Sequence, residues 1–389
     1  MAAVLALLCA PACSSQPSEK KPDSGPSTQY QGNEAYTLPD TPFTRKGTVI
    51  TATCLMGARY VGVSVQAWNP ERWKLLDERS FAIPPDAAFT NSAGVTAVNS
   101  PLVDLCRQRA DVPSPYRTDA LEHMVPRIRA LFDLGFTRMA VVLRDPGSKA
   151  THASFVESDG TWDDIVHLSD ATSDDEQNAA MSPDGSSVWF TYTAPSGEQR
   201  IGSRAVEGDH HLSDEGPAAG HDLPLTVLGK PPRAIQADMV WVSPNGRRLT
   251  AKVPKVFGSV FDTPDSSVPL AGKSARNATL VSDCLGVVGW IGDTRVLCRA
   301  SSGSFQVMDA HSGRAVGDPV GVVGPYDGTV AEGALVSADG KKFIASVHLP
   351  NDPYRLGDDF RVVPTTAGGE TVQIPSDHLW AHTVFLEWL

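Results

Sequence analysis

Positive charge is scarce in this chain. Lysine and arginine number 33 against 45 aspartates and glutamates, a formal net charge of −12 over 389 residues. That balance disfavours nucleic acid or an anionic membrane surface as the main partner, since both are held by clustered cations. Long apolar runs are missing too. The most conspicuous one, "MAAVLALLCAPA", covers residues 1–12 and is too short to span a bilayer. Cysteine is sparse, and the six present form no Cys-x-x-Cys and have no nearby histidine pair, so a zinc site is not expected. The chain holds no Gly-x-Ser-x-Gly elbow, no His-Glu-x-x-His and no phosphate-binding Gly-rich loop. No cofactor is expected from motifs of these kinds.

Turn-forming residues are abundant. Thirty prolines and 33 glycines argue for many tight turns rather than long helices. An apolar content of 41% is enough for a folded core. After the apolar start comes "SSQPSEKKPDSGPSTQYQGNE", which is polar and has nothing to bury. The two pieces together resemble the signal peptide and tether of a bacterial lipoprotein. The resemblance implies removal of residues 1–12, lipid on Cys13, a disordered linker over 13–43 and a folded domain over 44–389. No Lys or Arg precedes the apolar run, although export signals carry a basic start. We therefore expect the true start codon to lie upstream.

The remaining cysteines fit export. With Cys9 lost and Cys13 lipidated, Cys54, Cys106, Cys284 and Cys298 are left. An even number outside the cytosol reads as two disulfides, with three connectivities open. Cys284 and Cys298 flank "LGVVGWIGDTRVL", which reads as strand, turn, strand. The preferred pairs are Cys284–Cys298 and Cys54–Cys106.

The turns recur. "MSPDGSSVWF", "WVSPNGRRLTAKV" and "LVSADGKKFIASV" each put a Ser-Pro/Ala-Asp/Asn-Gly turn before a β-rich run, and "GWIGDTRVLCRA" is a looser copy. Proline presets the backbone of a turn, Asp or Asn bonds the chain two residues on, and Gly accepts positive φ. The first apolar residues after these turns are Val188, Leu249, Val296 and Phe343. Met139 in "LFDLGFTRMAVVL" precedes them in the same role, and the steps are 49, 61, 47 and 47 residues. Tyr60, Val95 and Val384 are weaker candidates for that role. Hairpins at such spacing, with further strands between them, mark a β-propeller. The expected fold is all-β, a single propeller of seven blades, with six or eight as alternatives. "HTVFLEWL" at the end is expected to pair with "GTVITATC" near the start and so close the ring. "YRTDALEHMVPRIRALFDL" reads as a short helical surface excursion.

The turns "SPDG", "SPNG" and "SADG" with the strands after them resemble TolB-type β-propeller repeats, mainly over 168–374. With the lipoprotein-like start, the chain is similar to actinobacterial cell-envelope proteins. What the resemblance implies is a binding platform: an exported, membrane-tethered scaffold for a protein or another envelope component. It would sit on the outer face of the cell membrane, touching the membrane only through its lipid. The alternative is a propeller enzyme, a metal-dependent lactonase, lyase or hydrolase, with side chains from several blades converging at the channel mouth.

Three polar clusters bear on a site. "GDHHLSDEG" brings Asp209, His210, His211, Asp214 and Glu215, residue types that ligate transition metals. "SDATSDDEQ" brings Asp170, Asp174, Asp175 and Glu176, oxygen donors of the kind calcium takes. Both read more simply as solvated connections. "HLPNDPYRLGDDFR" is a long hairpin loop, and Tyr354 and Arg355 make it the candidate contact loop, because interfaces favour Tyr and Arg. The tryptophans at 162, 189, 241, 290 and 388 fall in or beside expected strands and read as packing.

Overall fold

The computed structural model describes residues 28–31, 34–56, 61–83, 102, 105–106, 125, 127–145, 147–148, 150–159, 174–218, 225–226, 233–234, 240–244, 248–253, 256–262, 279–281, 283–323, 328–349, 359–375 and 383–389. Strands β1 (Thr28–Gln31) and β2 (Glu34–Thr37) form a hairpin. The first sheet takes β3 (Val49–Met56), β4 (Val61–Asn69) and β5 (Lys74–Ala82). The second is β6 (Arg138–Arg144) with β7 (Thr151–Glu157). The third runs β8 (Asp174–Met181), β9 (Ser187–Thr193), β10 (Gln199–Ala205), β11 (Ser213–Pro217), and a small hairpin of β12 (Leu225–Thr226) and β13 (Arg233–Ala234) follows. The fourth is β14 (Val240–Val242), β15 (Arg248–Val253), β16 (Val256–Asp262) and β17 (Thr279–Leu280). The fifth is β18 (Gly286–Ile291), β19 (Arg295–Arg299) and β20 (Phe305–Asp309), and the sixth is β21 (Val330–Val336), β22 (Lys342–His348), β23 (Asp359–Pro364) and β24 (Val372–Gln373). The last strand, β25 (Val384–Trp388), returns to the first sheet, whose order is β25-β3-β4-β5.

This is an all-β chain of small antiparallel meanders. Every sheet pairs consecutive strands except the first, where the end of the chain supplies the innermost strand. Val384 pairs with Ala52, Trp388 with Val49, and Leu389 N–H donates to Thr48 O at 2.9 Å. Sheets in chain order, joined end to start, give a closed ring with no free sheet edge at the seam. That is β-propeller topology. Val384 therefore opens an innermost strand rather than following a turn, which corrects its expected role. Tyr60 and Val95 lie outside the described residues.

The repeated turns do what their residues allow. Ser182 N–H donates to Ser187 O, Ser187 N–H to Ser182 Oγ, and Gly185 N–H to Ser182 O, each at 2.9 Å. Ser337, Lys342 and Gly340 repeat the pattern within 2.8–3.0 Å, and Ser243 and Arg248 share its first two bonds at 2.8 and 3.0 Å. The aspartate two residues after the serine accepts its hydroxyl, Asp184 at 2.7 Å and Asp339 at 2.8 Å. Gly185 and Gly340 take φ of 70° and 68°, a backbone region that only glycine occupies cheaply. Met139, Val188, Leu249, Val296 and Phe343 each stand second in the strand after their turn.

Blade-to-blade packing is tight. A β-carbon at Gly333 on β21 would lie 2.3 and 2.6 Å from the two methyls of Val288 on β18. Gly333→Ala is thus expected to cost about 1–3 kcal/mol by overpacking. A denaturant midpoint unchanged from wild type would show that the fifth and sixth sheets do not meet there.

The segment expected as a helical surface excursion is instead core where described. Residues 127–129 are helical, but Val125, Ile128 and Leu131 are buried. Their spacing of three places one apolar stripe against the core shared by the first two sheets. Both disulfides form: Cys54–Cys106 ties β3 to the buried stretch that holds Leu102 and Leu105, and Cys284–Cys298 joins the start of the fifth sheet to β19. No helix among the described residues is long and apolar enough to cross a membrane.

Candidate functional site

Four inner segments end at a residue whose N–H closes the turn onto the next strand, Asp133, Ser182, Ser243 and Ser337, and Leu389 makes the equivalent bond to Thr48 across the seam. Two positions earlier stand Leu131, Ala180, Trp241, Leu335 and Glu387, at equivalent places counted from those bonds. Trp290 joins them, because its indole N–H donates to Trp241 O at 3.1 Å. Adjacent inner segments are also bonded directly: Met181 N–H to Ala130 O, Leu134 N–H to Pro183 O and Ala338 N–H to Trp388 O. Most of this set is apolar and buried: Leu131, Ala180, Leu335 and Trp290.

Two polar features break it. Glu387 accepts from Arg129 Nε at 2.8 Å. Arg129 Nη1 donates to Phe132 O and Asp133 O at 3.0 and 3.1 Å, and the guanidinium lies 4.3 Å from the Phe136 ring centroid. Its Nη2 is buried with no hydrogen-bond partner among the described residues. Trp241 is the second feature. It packs against the core of the first two sheets and also against the fifth-sheet cluster around Trp290. Its indole Nε1 is buried and has no partner among the described residues. Thr250, directly opposite Trp241 in the ladder, is 1% exposed, and its hydroxyl is likewise without a partner there.

A separate polar centre lies in the third sheet. Glu176 and Arg204 are both fully buried, 2.6 Å apart. The second carboxylate oxygen of Glu176 accepts Ala153 N–H of β7 at 2.7 Å, so one side chain joins two sheets. Arg204 also donates to His210 O at 2.8 Å and sits over the Phe190 ring. β8 reaches this geometry through two register shifts, with positive φ at Asp175 and Asn178. Bulges re-aim side chains in this way.

The expected clusters are dispersed. Asp214 pairs with Arg200 at 2.8 Å, which lowers the Asp214 carboxyl below its usual range and raises Arg200. Glu215 accepts from Ser203, and the His210 ring bonds Ala205 O. The "SDATSDDEQ" run is no solvated connection at its end: Asp174–Glu176 belong to β8 and Glu176 is buried, while Asp170 is outside the described residues. Among the described residues no three His, Cys, Asp or Glu side chains gather around one point as metal ligands would. Trp189, Trp290 and Trp388 are buried strand residues, while Trp162, Cys13, Tyr354 and Arg355 lie outside the described residues.

The base of the expected contact loop is described. Leu349, where β22 ends, is 48% exposed. At the other side of the loop Arg361 holds Asp359 and donates through Nη1 to the carbonyl of Val323, which is 78% exposed. Among the described residues the other large aliphatics with high exposure are Leu75 and Leu76 on β5, Leu285 and Val316 beside the fifth sheet, and Val372 on β24. Single exposed aliphatics are ordinary; Leu349 and Val323 stand out among the described residues because both flank the base of one loop, Val323 through its bond from Arg361.

No family model and no curated protein matches the sequence. Among solved structures the chain is similar to TolB from Acinetobacter baumannii, at 12% identity over 87% of this chain and 83% of that one, TM-score 0.26. It is similar to the β-propeller domain of the Trilobed protease from Pyrococcus furiosus, at 8% identity over 85% and 95%, TM-score 0.38. It is also similar to a 6-phosphogluconolactonase-like protein from Bacteroides fragilis, at 12% identity over 84% and 81%, TM-score 0.32. All three scores fall below 0.5, so the propeller assignment rests on the strand order and ring closure described above.

Proposed function

We propose that this chain is an exported β-propeller, anchored through lipid on Cys13, that serves as a binding scaffold in the cell envelope. Residues 1–12 are the export signal, 13–43 the tether and 44–389 the ring. Seven blades follow if the β12–β13 hairpin counts as a reduced blade between the third and fourth sheets, and six if it is an insertion. The two buried disulfides favour an oxidising compartment. The observation that carries the binding reading is the pair of exposed aliphatics, Leu349 and Val323, at the base of the loop whose sequence carries Tyr354 and Arg355.

Labelling with a fatty-acid analogue tests the anchor. Wild type is expected to take the label and sediment with membranes, and Cys13→Ser to do neither. Equal labelling of both would sink the anchor. Cross-linking in cells tests the face: the Leu349→Ser/Val323→Ser double variant is expected to lose the partner adduct while keeping the wild-type melting temperature. An unchanged adduct would remove the loop base as the contact.

A further inference from the structure

We propose that Trp73 is a latch between the first and sixth sheets, one that opens without unfolding the ring. Residues 71–78 are exposed except Trp73, which is 3% exposed. The turn between β4 and β5 thus sends a single side chain inward. It joins a cluster that both sheets share, with Val49 and Trp68 from the first and Ile344, Phe360 and Val362 from the sixth. Its ring meets Phe385 of β25 edge-on, with centroids 6.5 Å apart, and Phe385 meets Phe360 of β23 at 4.9 Å. Trp73 therefore packs where the last strand lies against the sixth sheet.

Two features oppose this closed position. Trp73 has φ of 48°, a region that a bulky side chain enters only at a cost. Its indole Nε1 is buried with no hydrogen-bond partner among the described residues, a penalty that water would remove. Both costs vanish when the turn relaxes and the ring swings out, so aromatic packing alone opposes the release. Trp68 is the contrast. It lies in the same cluster at 4% exposure, but within β4, and its Nε1 donates to Thr51 Oγ1 at 3.0 Å. The turn itself is held by Asn69, whose Oδ1 accepts the N–H groups of Glu71 and Arg72 at 2.9 and 3.2 Å. Release of Trp73 uncovers Phe385 and Phe360 and leaves the β25–β3 ladder paired, because Trp73 makes none of its bonds. This is local opening of a unit less stable than the whole fold.

Hydrogen–deuterium exchange of the indole N–H groups, followed by NMR on the full chain labelled with nitrogen-15, tests the latch. The two resonances are assigned from their loss in Trp73→Phe and Trp68→Phe. In wild type the Trp73 indole is expected to exchange at least about a hundredfold faster than that of Trp68, a factor of about ten for each of the two penalties. Asn69→Ala loosens the turn and touches neither indole. It is expected to speed Trp73 exchange about tenfold, the effect of a lost backbone cap, and to leave Trp68 unchanged. A Trp73 that is released only with the whole fold would exchange as slowly as Trp68 and respond to Asn69→Ala by the same factor. Equal rates in wild type, or an Asn69→Ala variant that moves both indoles together or neither, overturns the proposal.

Discussion

Arg204→Leu is expected to destabilise the fold by about 3–5 kcal/mol, the range for a buried charge stripped of its partner. Glu176 would stay fully buried with its carboxylate facing leucine. The Ala153 N–H that donates to it at 2.7 Å does not neutralise it. Glu176→Gln with Arg204→Met is expected to recover most of that loss, because the amide oxygen still accepts Ala153 N–H and no charge is left buried. Urea denaturation of the single and double variants measures the difference. A single variant within about 1 kcal/mol of wild type, the value of an exposed pair, would mean that water reaches the pair.

The second large effect concerns Cys54–Cys106. Replacing both by alanine is expected to cost about 4 kcal/mol, against about 3 kcal/mol for Cys284–Cys298, by the chain-entropy estimate. The ordering comes from loop size, with sequence separations of 52 and 14 residues. Cys54–Cys106 also pins a buried segment that supplies Leu102 and Leu105 to the core. Thermal melting of the two double variants reads the order directly. The same order reversed would show that local packing at the fifth sheet outweighs loop closure.

Much of the architecture was legible because its determinants are local. A turn of Ser-Pro-Asp-Gly needs only its own four residues and the serine's reach to the next strand, so Val188 and Phe343 could be placed on their strands unaided. Ring closure was legible because the first and last strands both read as β and both needed a partner. The site was far less visible. Glu176 sits in a run of acids that looks solvated, and nothing nearby in sequence announces Arg204, 28 residues on. Leu131, Trp241 and Glu387 come from segments far apart in sequence, and only the count from each closing bond shows that their places are equivalent. The signal that could have been used is the count from each turn: two residues before the closing serine, the inner strands read Ala180, Trp241 and Leu335. Val384 was misplaced for the related reason that a chain end has no following turn to count from.

Amide hydrogen exchange across the seam tests the closed ring most directly. If β25 is the innermost strand of the first sheet, the amides of Val384–Trp388 that bond β3 will exchange as slowly as those of Val49–Met56, through opening of the whole fold. Rapid exchange of Val384–Trp388 at the rate of a frayed terminus, with β3 and β4 still protected, would contradict closure and with it the account of this protein as a propeller.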